Sequence, residues 1–66
     1  MAVSESGVRR LAHRNNLRVN KFRESDPFYV QYGPYAVADA RTSALMVWQL
    51  WTLEDVRTAI EEISGG

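Results

Sequence analysis

Residues 35–63 constrain the fold more than any other part of the chain, because they carry three local signals in succession. Tyr35 and Val37 alternate with alanines, a polar segment follows at 39–43, and an apolar run rich in strand-forming residues covers 44–50. This pattern predicts a β-hairpin whose second strand is buried on both faces.

A capped helix is predicted directly after the hairpin. The Thr52 hydroxyl is placed to accept a hydrogen bond from the Asp55 amide, while the Asp55 carboxylate accepts one from the Thr52 amide. Trp51 before the cap and Val56 after it are spaced to form a hydrophobic staple. One apolar residue per turn then faces the sheet, namely Leu53, Val56, Ile60 and Ile63.

The N-terminal part predicts a second helix and a first strand. Residues 4–15 carry a narrow apolar stripe at helical spacing, with Ser4 or Ser6 as the first residue and the asparagines at 15–16 as the end. Residues 17–23 are predicted as a strand, because apolar and polar side chains alternate until the phase changes at Phe22. Either a bulge returns Phe22 to the core, or the strand ends and Phe22 packs under a loop.

Residues 25–34 contain two breaks. Asp26-Pro27 predicts a turn, because proline forces the preceding residue into an extended conformation. The aromatic segment 28–34 fits a loop, a bulged strand or a flap over the sheet edge, and we favour a strand entry broken at Gly33.

The order of elements predicts a single small α+β domain over residues 1–66. It has a helix, a three-stranded antiparallel meander sheet and a C-terminal helix, with both helices on one face of the sheet. Sixty-six residues are near the lower limit for a chain that folds around one core without metal or disulfide. The opposite face of the sheet is expected to be uncovered.

The residue inventory argues against catalysis. There is no cysteine, His13 is the one histidine, and the pairs Glu54-Asp55 and Glu61-Glu62 are adjacent on a helix, so their carboxylates diverge. We therefore expect a non-enzyme with no catalytic residues, metal site, cofactor or small-molecule substrate. No apolar run approaches the roughly 20 residues that span a bilayer, so we expect no membrane association and a cytoplasmic location.

Surplus apolar area points to a protein interface. Strand periodicity puts Leu45, Val47 and Gln49 on one side of the third strand, and Ala44, Met46, Trp48 and Leu50 on the other. We expect Phe22, Leu45, Val47 and Trp51 to be mainly core, yet a sheet covered on one face cannot bury all seven aromatic residues. The candidate contact residues, chosen for surplus apolar area, are Tyr32, Tyr35, Met46, Trp48 and Trp51. A homodimer is the simplest way to cover them.

Charge distribution supports an alternative, a nucleic-acid-binding accessory protein. The net charge is zero, but residues 1–24 carry six basic and two acidic residues, and residues 25–66 carry two basic and six acidic ones. The candidate phosphate contacts are Arg9, Arg10, Arg14, Arg18, Lys21 and Arg23. The order of elements resembles the double-stranded RNA-binding domain, but that family has a lysine cluster where this chain has 52–55, TLED.

Three segments resemble a group of short uncharacterised actinobacterial and actinophage proteins. They are VRRLAHRNNLRVNKFRESDP, YGPYAVADARTSALM and TLEDVRTAIEE, and together they cover about residues 8–62. The resemblance implies the same fold and a phage or actinobacterial origin. The chain departs from the group at 49–51, QLW, where those proteins usually carry a more polar or glycine-containing loop, and the extra apolar surface fits a partner contact. We expect a phage or host-directed regulatory protein that acts as a homodimer.

Overall fold

The structure, a computed structural model, describes residues 3–65, and residues 1, 2 and 66 lie outside the described part. Its elements are α1 (Glu5–Arg14), β1 (Leu17–Lys21), α2 (Tyr29–Tyr32), β2 (Tyr35–Asp39), β3 (Leu45–Leu50) and α3 (Leu53–Ile63). Within residues 3–65, no helix combines the length and the hydropathy that a membrane span requires.

The three strands form an antiparallel meander in the order β1-β2-β3. Val37 at the centre of β2 pairs with Val19 on one side and with Val47 on the other. Helices α1 and α3 pack against each other and against the same face of this sheet. The predicted α+β fold, with both of these helices on one face, is confirmed.

The core lies between that face and the two helices. Val37 and Ile60 are completely inaccessible to solvent, and they belong to one apolar cluster. The buried members of the cluster are Val8, Ala12, Leu17, Val19, Val37, Val56, Ala59 and Ile60. Five of these eight residues come from the helices, so sheet and helices stabilise each other.

The predicted start and end of α1 and the predicted start of α3 are confirmed. The Ser4 hydroxyl accepts from the Gly7 amide at 3.0 Å and begins α1, and Asn16 follows that helix with a φ of 59°. At α3 the Thr52 hydroxyl accepts from the Asp55 amide at 3.1 Å, and Asp55 accepts from the Thr52 amide at 3.3 Å. The capping box therefore forms as its sequence indicates.

β1 ends at Lys21, two residues before the predicted end. The Phe22 amide donates to the Pro34 carbonyl at 2.8 Å, and the Phe22 ring centre lies 6.3 Å from that of Tyr32. Of the two alternatives for Phe22, the structure has the second: the strand ends and the half-buried ring packs under the segment that follows.

The predicted strand entry at 28–34 is wrong, because this segment forms the short helix α2. The Tyr29 amide donates to the Asp26 carbonyl at 3.0 Å, and the Tyr32 amide donates to the Phe28 carbonyl at 2.8 Å. The turn at Asp26-Pro27 thus continues into helical hydrogen bonds, and these outweigh the strand propensity of the aromatic residues. α2 contacts β3 and partly covers the face that we expected to be uncovered.

Two irregularities in β3 change which side chains face the core. Gln49 has a φ of 59°, and two residues of β3 oppose one residue of β2 between the pairs Tyr35–Leu50 and Val37–Val47. This bulge turns Leu50 toward the core and leaves Gln49 exposed, which reverses the prediction for both residues. The second irregularity pairs Leu45 with Ala38, and Leu45 is half-buried outside the main core cluster.

The expectation that β3 is buried on both faces is also wrong. Met46 is 45% exposed and Trp48 is 46% exposed. The reason is that α2 is only four residues long and covers only part of the second face.

Candidate functional site

Met46 and Trp48 lie on the face of the sheet that points away from α1 and α3. Val47 between them packs against the core cluster, and successive side chains of a strand point to opposite faces. Because both side chains keep almost half of their surface in solvent, this part of β3 is an exposed apolar surface.

Tyr32 connects this surface to α2. Its ring meets the Trp48 ring edge to face, with ring centres 6.0 Å apart and planes at 82°. The centre of the Phe28 ring lies 6.0 Å from that of Tyr32, and Phe28 is 53% exposed. We call Phe28, Tyr32, Met46 and Trp48 the aromatic face.

Hydrogen bonds fix α2 in this position. The Asp26 carboxylate accepts from the Phe28 amide at 2.8 Å and so sets the start of the helix. At the other side, the Gln49 side-chain amide donates to the Val30 carbonyl at 3.4 Å. The bulge at Gln49 therefore ties α2 to β3 beside the aromatic face.

Phe28 belongs to the aromatic face although it was not among the predicted contact residues. Its spacing of four residues from Tyr32 is the signal that identifies it, because side chains at i and i+4 meet on one side of a helical turn. That signal has meaning only once residues 29–32 are recognised as helical.

Tyr35 and Trp51, the other two predicted contact residues, lie apart from this group. Tyr35 is half-buried, opposes Lys21 and Leu50 in the sheet and packs against the core cluster. Trp51 is 70% exposed between β3 and α3, so it contributes little to the core or to a staple with Val56. Among residues 3–65, the close ring pairs involve Phe22, Phe28, Tyr32 and Trp48 and do not include Trp51.

The predicted phosphate contacts are divided over several places. Glu5 lies between Arg9 and Lys21, with N–O distances of 3.4 and 3.5 Å. Arg10 and Arg14 are exposed on α1, and Arg23 is exposed between β1 and α2. Arg18 alternates with the buried Leu17 and Val19, so it lies on the face of the sheet away from the helices.

A shallow groove at the outer edge of β1 brings two of these residues together. Its volume is about 360 Å³, and its lining residues are Arg9, His13, Leu17, Arg18, Val19 and Ala40. Arg9 also donates through Nη1 to the Val19 carbonyl at 3.1 Å, which anchors its side chain across the edge. In the described part of the chain, no group of three or more histidine, aspartate and glutamate side chains is placed to bind a metal.

The Glu5 carboxyl gives a prediction about pH. The charge of Lys21 lowers the pKa of Glu5 below its ordinary value of 4.5, and a hydrogen bond from Arg9 lowers this pKa further. Glu5 therefore stabilises the fold above about pH 4.5, and this contribution is lost as the pH falls through the lowered pKa. Because the three side chains are about half exposed, solvent screens the interaction and the effect on stability is small.

The measurement is an NMR titration of the Glu5 carboxyl carbon in the wild type and in Lys21→Gln. We expect the titration midpoint to be higher in the variant, since it loses the first cause of the shift. Arg57→Gln, which removes the exposed partner of Glu61 on α3, serves as the control and leaves the Glu5 midpoint unchanged. Equal midpoints for Glu5 in wild type and Lys21→Gln would contradict the assignment.

Two surfaces thus stand out, the aromatic face and the groove at the edge of β1. Each combines residues that are distant in the sequence and that the fold brings together. In comparisons with known proteins, no family model, no curated protein and no solved structure matches the chain.

Proposed function

We propose that the protein is a non-enzymatic interaction module that forms a homodimer through the aromatic face. One observation carries the proposal: Met46 and Trp48 stay almost half exposed beside Tyr32 and Phe28 on the sheet face opposite α1 and α3. Contact with a partner removes this apolar surface from water, which is favourable. Aromatic residues and methionine are also enriched among the side chains that anchor protein interfaces.

The shape of the molecule supports a face-to-face dimer. The protein measures 32 × 31 × 17 Å, so its broad sides are the sheet face and the helix layer. A standard interface covers roughly 800 Å² per partner, about a sixth of the 4821 Å² accessible surface. Two copies related by a two-fold axis would each present the same face, so Trp48 of one copy meets the aromatic face of the other.

The wider role rests on sequence resemblance. A small phage or actinobacterial regulatory protein in the cytoplasm fits a chain that recognises proteins and needs no cofactor, membrane or small-molecule substrate. Tyr35 and Trp51 remain candidate contacts of this proposal. Trp51 has the surface for it, whereas Tyr35 has its ring against the core.

Met46→Lys tests the dimer without disturbing the core. Met46 is half exposed, so the variant is expected to fold, but it places a charge where the partner's apolar side chains would lie. We expect at least a tenfold weaker dimer, or roughly 1.4 kcal/mol, because a buried and unpaired charge is costly. Sedimentation equilibrium over a concentration series measures the change.

Thr58→Lys is the matched control, because it adds the same charge on the exposed side of α3. It is expected to leave the dimer affinity unchanged. If the wild type is a monomer at all accessible concentrations, or if both variants weaken association equally, the homodimer proposal fails.

Nucleic-acid binding remains the alternative, with less support. Arg9 and Lys21 are already beside Glu5, and Arg18 lies on the opposite sheet face from α1. Arg10 and Arg14 are both exposed and are neighbours at i and i+4 on α1.

The double variant Arg10→Glu, Arg14→Glu separates the two proposals. We expect it to dimerise as the wild type does, and we expect neither protein to show salt-dependent affinity for a DNA or RNA oligonucleotide. Fluorescence anisotropy at two salt concentrations measures the affinity. Wild-type binding that weakens with salt and is lost in the double variant would favour the alternative.

A further inference from the structure

The outer edge of β1 has the hydrogen-bonding groups of a strand that lacks a neighbour. Among residues 3–65, β2 pairs with one side of β1 and no strand pairs with the other. The Asn16 carbonyl accepts from the Ala40 amide at 3.1 Å, and the Phe22 amide donates to the Pro34 carbonyl at 2.8 Å. In an antiparallel pair, every second residue of a strand forms its backbone hydrogen bonds with the neighbouring strand. Because Asn16 and Phe22 on either side of β1 bond in this direction, the even-numbered residues of β1 also bond to β2. Leu17, Val19 and Lys21 therefore direct their N–H and C=O groups outward.

Arg9 covers part of this edge through a hydrogen bond that another donor can replace. Its Nη1 donates to the outward Val19 carbonyl at 3.1 Å, while its Nε lies 3.4 Å from Glu5. The side chain is 44% exposed and has room to move. An incoming backbone N–H can replace Arg9 on the Val19 carbonyl and free the guanidinium for a carboxylate, with which it forms a charge-assisted hydrogen bond. In the empty state, the same contact protects the edge from unspecific pairing.

The charges around the groove indicate the side chains of the occupant. Arg9 and His13 line the groove from α1, and Arg18 lines it from the other sheet face. Successive side chains of an added strand point to opposite faces. Two consecutive acidic residues in that strand would therefore meet Arg9 on one face and Arg18 on the other.

The outward backbone groups favour a peptide over a nucleic acid. Backbone N–H donors and C=O acceptors alternate along the edge at the spacing found in a β-strand. The backbone of an added peptide strand can therefore form hydrogen bonds with both kinds of group. A phosphate backbone offers only acceptors for these positions, and the outward carbonyl groups of Leu17 and Lys21 would repel it.

We propose that the outer edge of β1 binds an extended acidic segment of a partner protein as a fourth strand. Arg9 and Arg18 bind two consecutive acidic side chains of that segment, one on each face of the extended sheet. This site shares no residue with the aromatic face, although Arg18 lies on the same side of the sheet, and it does not depend on dimer formation.

The test uses the full ¹⁵N-labelled chain and a synthetic peptide, acetyl-Thr-Val-Thr-Glu-Glu-Val-Thr-Val-amide. Its control replaces both glutamates with lysines. We expect hydrogen exchange of the Leu17 and Val19 amides to slow at least about tenfold with the acidic peptide, because these amides become hydrogen-bonded. The Arg18 and Asn20 amides, which already face β2, are expected to be unchanged.

Arg18→Glu and Arg10→Glu form a matched pair of variants. Both change the charge by the same amount, but only Arg18 lines the groove. We expect about a tenfold loss of peptide affinity for Arg18→Glu and no loss for Arg10→Glu. Retained exchange protection at Asn20 in both variants shows that the sheet is intact.

Four results would overturn the proposal. They are equal losses in the two variants, a shift confined to Trp48 and Met46, tighter binding of an oligonucleotide without protection of Val19, and protection of Val19 by protein concentration alone. The last result would identify a second copy of this chain as the occupant of the edge.

Discussion

Replacing Ile60 with alanine is expected to remove most of the protein's free energy of unfolding at 25 °C. Ile60 is inaccessible to solvent on the buried side of α3, in the cluster that joins both helices to Val37 of the sheet. Removing a buried isoleucine typically costs about 2–5 kcal/mol, since the cavity that it leaves is only partly refilled. A chain of this length rarely has more than about 3–5 kcal/mol of stability, so most of it is lost.

Urea denaturation followed by far-UV circular dichroism measures this loss. Ile63→Ala is the matched control, because it removes the same atoms from the same helix at a half-buried position. Val30→Ala, at a site that is 86% exposed, is expected to change stability by less than about 0.5 kcal/mol. Equal losses for Ile60→Ala and Ile63→Ala would show that the core is not centred on Ile60.

Replacing Gly33 with alanine is expected to cost about 2–3 kcal/mol and to disturb the aromatic face. A methyl group at this position would lie 2.8 Å from the Tyr29 carbonyl oxygen, 2.9 Å from the Tyr29 ring and 3.1 Å from the Phe22 side chain. The first contact is with backbone, which cannot rotate away. α2 must therefore shift, and the Tyr32 ring moves with it relative to Trp48.

Near-UV circular dichroism reports the change in the environment of Tyr32 and Trp48, and urea denaturation gives its free energy. Gly65→Ala is the control: a methyl group there meets no atom within 4 Å, and only its φ of 79° resists the change, at about 1 kcal/mol. A Gly33→Ala variant with wild-type near-UV signal and stability would contradict the close packing of α2 on Phe22.

The successful sequence predictions depend on local chemistry. The capping box at Thr52 needs only residues 52–55, and the left-handed Asn16 needs only its own side chain to end α1. The core face of β1 follows from the alternation of Leu17 and Val19 with polar residues. In each case a few neighbouring residues decide the conformation, so the sequence carries the signal directly.

The errors lie where distant residues compete. α2 forms at 29–32 although its aromatic residues favour strands, because Asp26 starts the helical turn and Phe22 and Trp48 supply the surface on which Tyr32 packs. The assignment of Leu50 and Gln49 to sheet faces failed at the bulge, whose position follows from the pairing of β3 with β2. No local property of Gln49 predicts a positive φ.

The candidate surfaces show the same division. Met46 and Trp48 were candidate contacts because one three-stranded sheet with two helices cannot bury every large side chain, although the periodicity of β3 by itself predicted burial on both faces. The predicted basic residues, by contrast, do not gather into one patch, because strand alternation puts Arg18 across the sheet from α1.

The sequence by itself determined the order of the main elements, both ends of α1, the start of α3 and the class of fold, because these depend on hydrogen bonds and periodicity within a few residues. Only the tertiary structure decided that α2 packs on the second face, that Leu50 joins the core and that Arg9 reaches Val19 across the edge of β1. These features depend on packing and strand register between segments that lie 10 or more residues apart in the sequence. Such contacts form only in the assembled fold, so residues that are neighbours in the sequence cannot decide them.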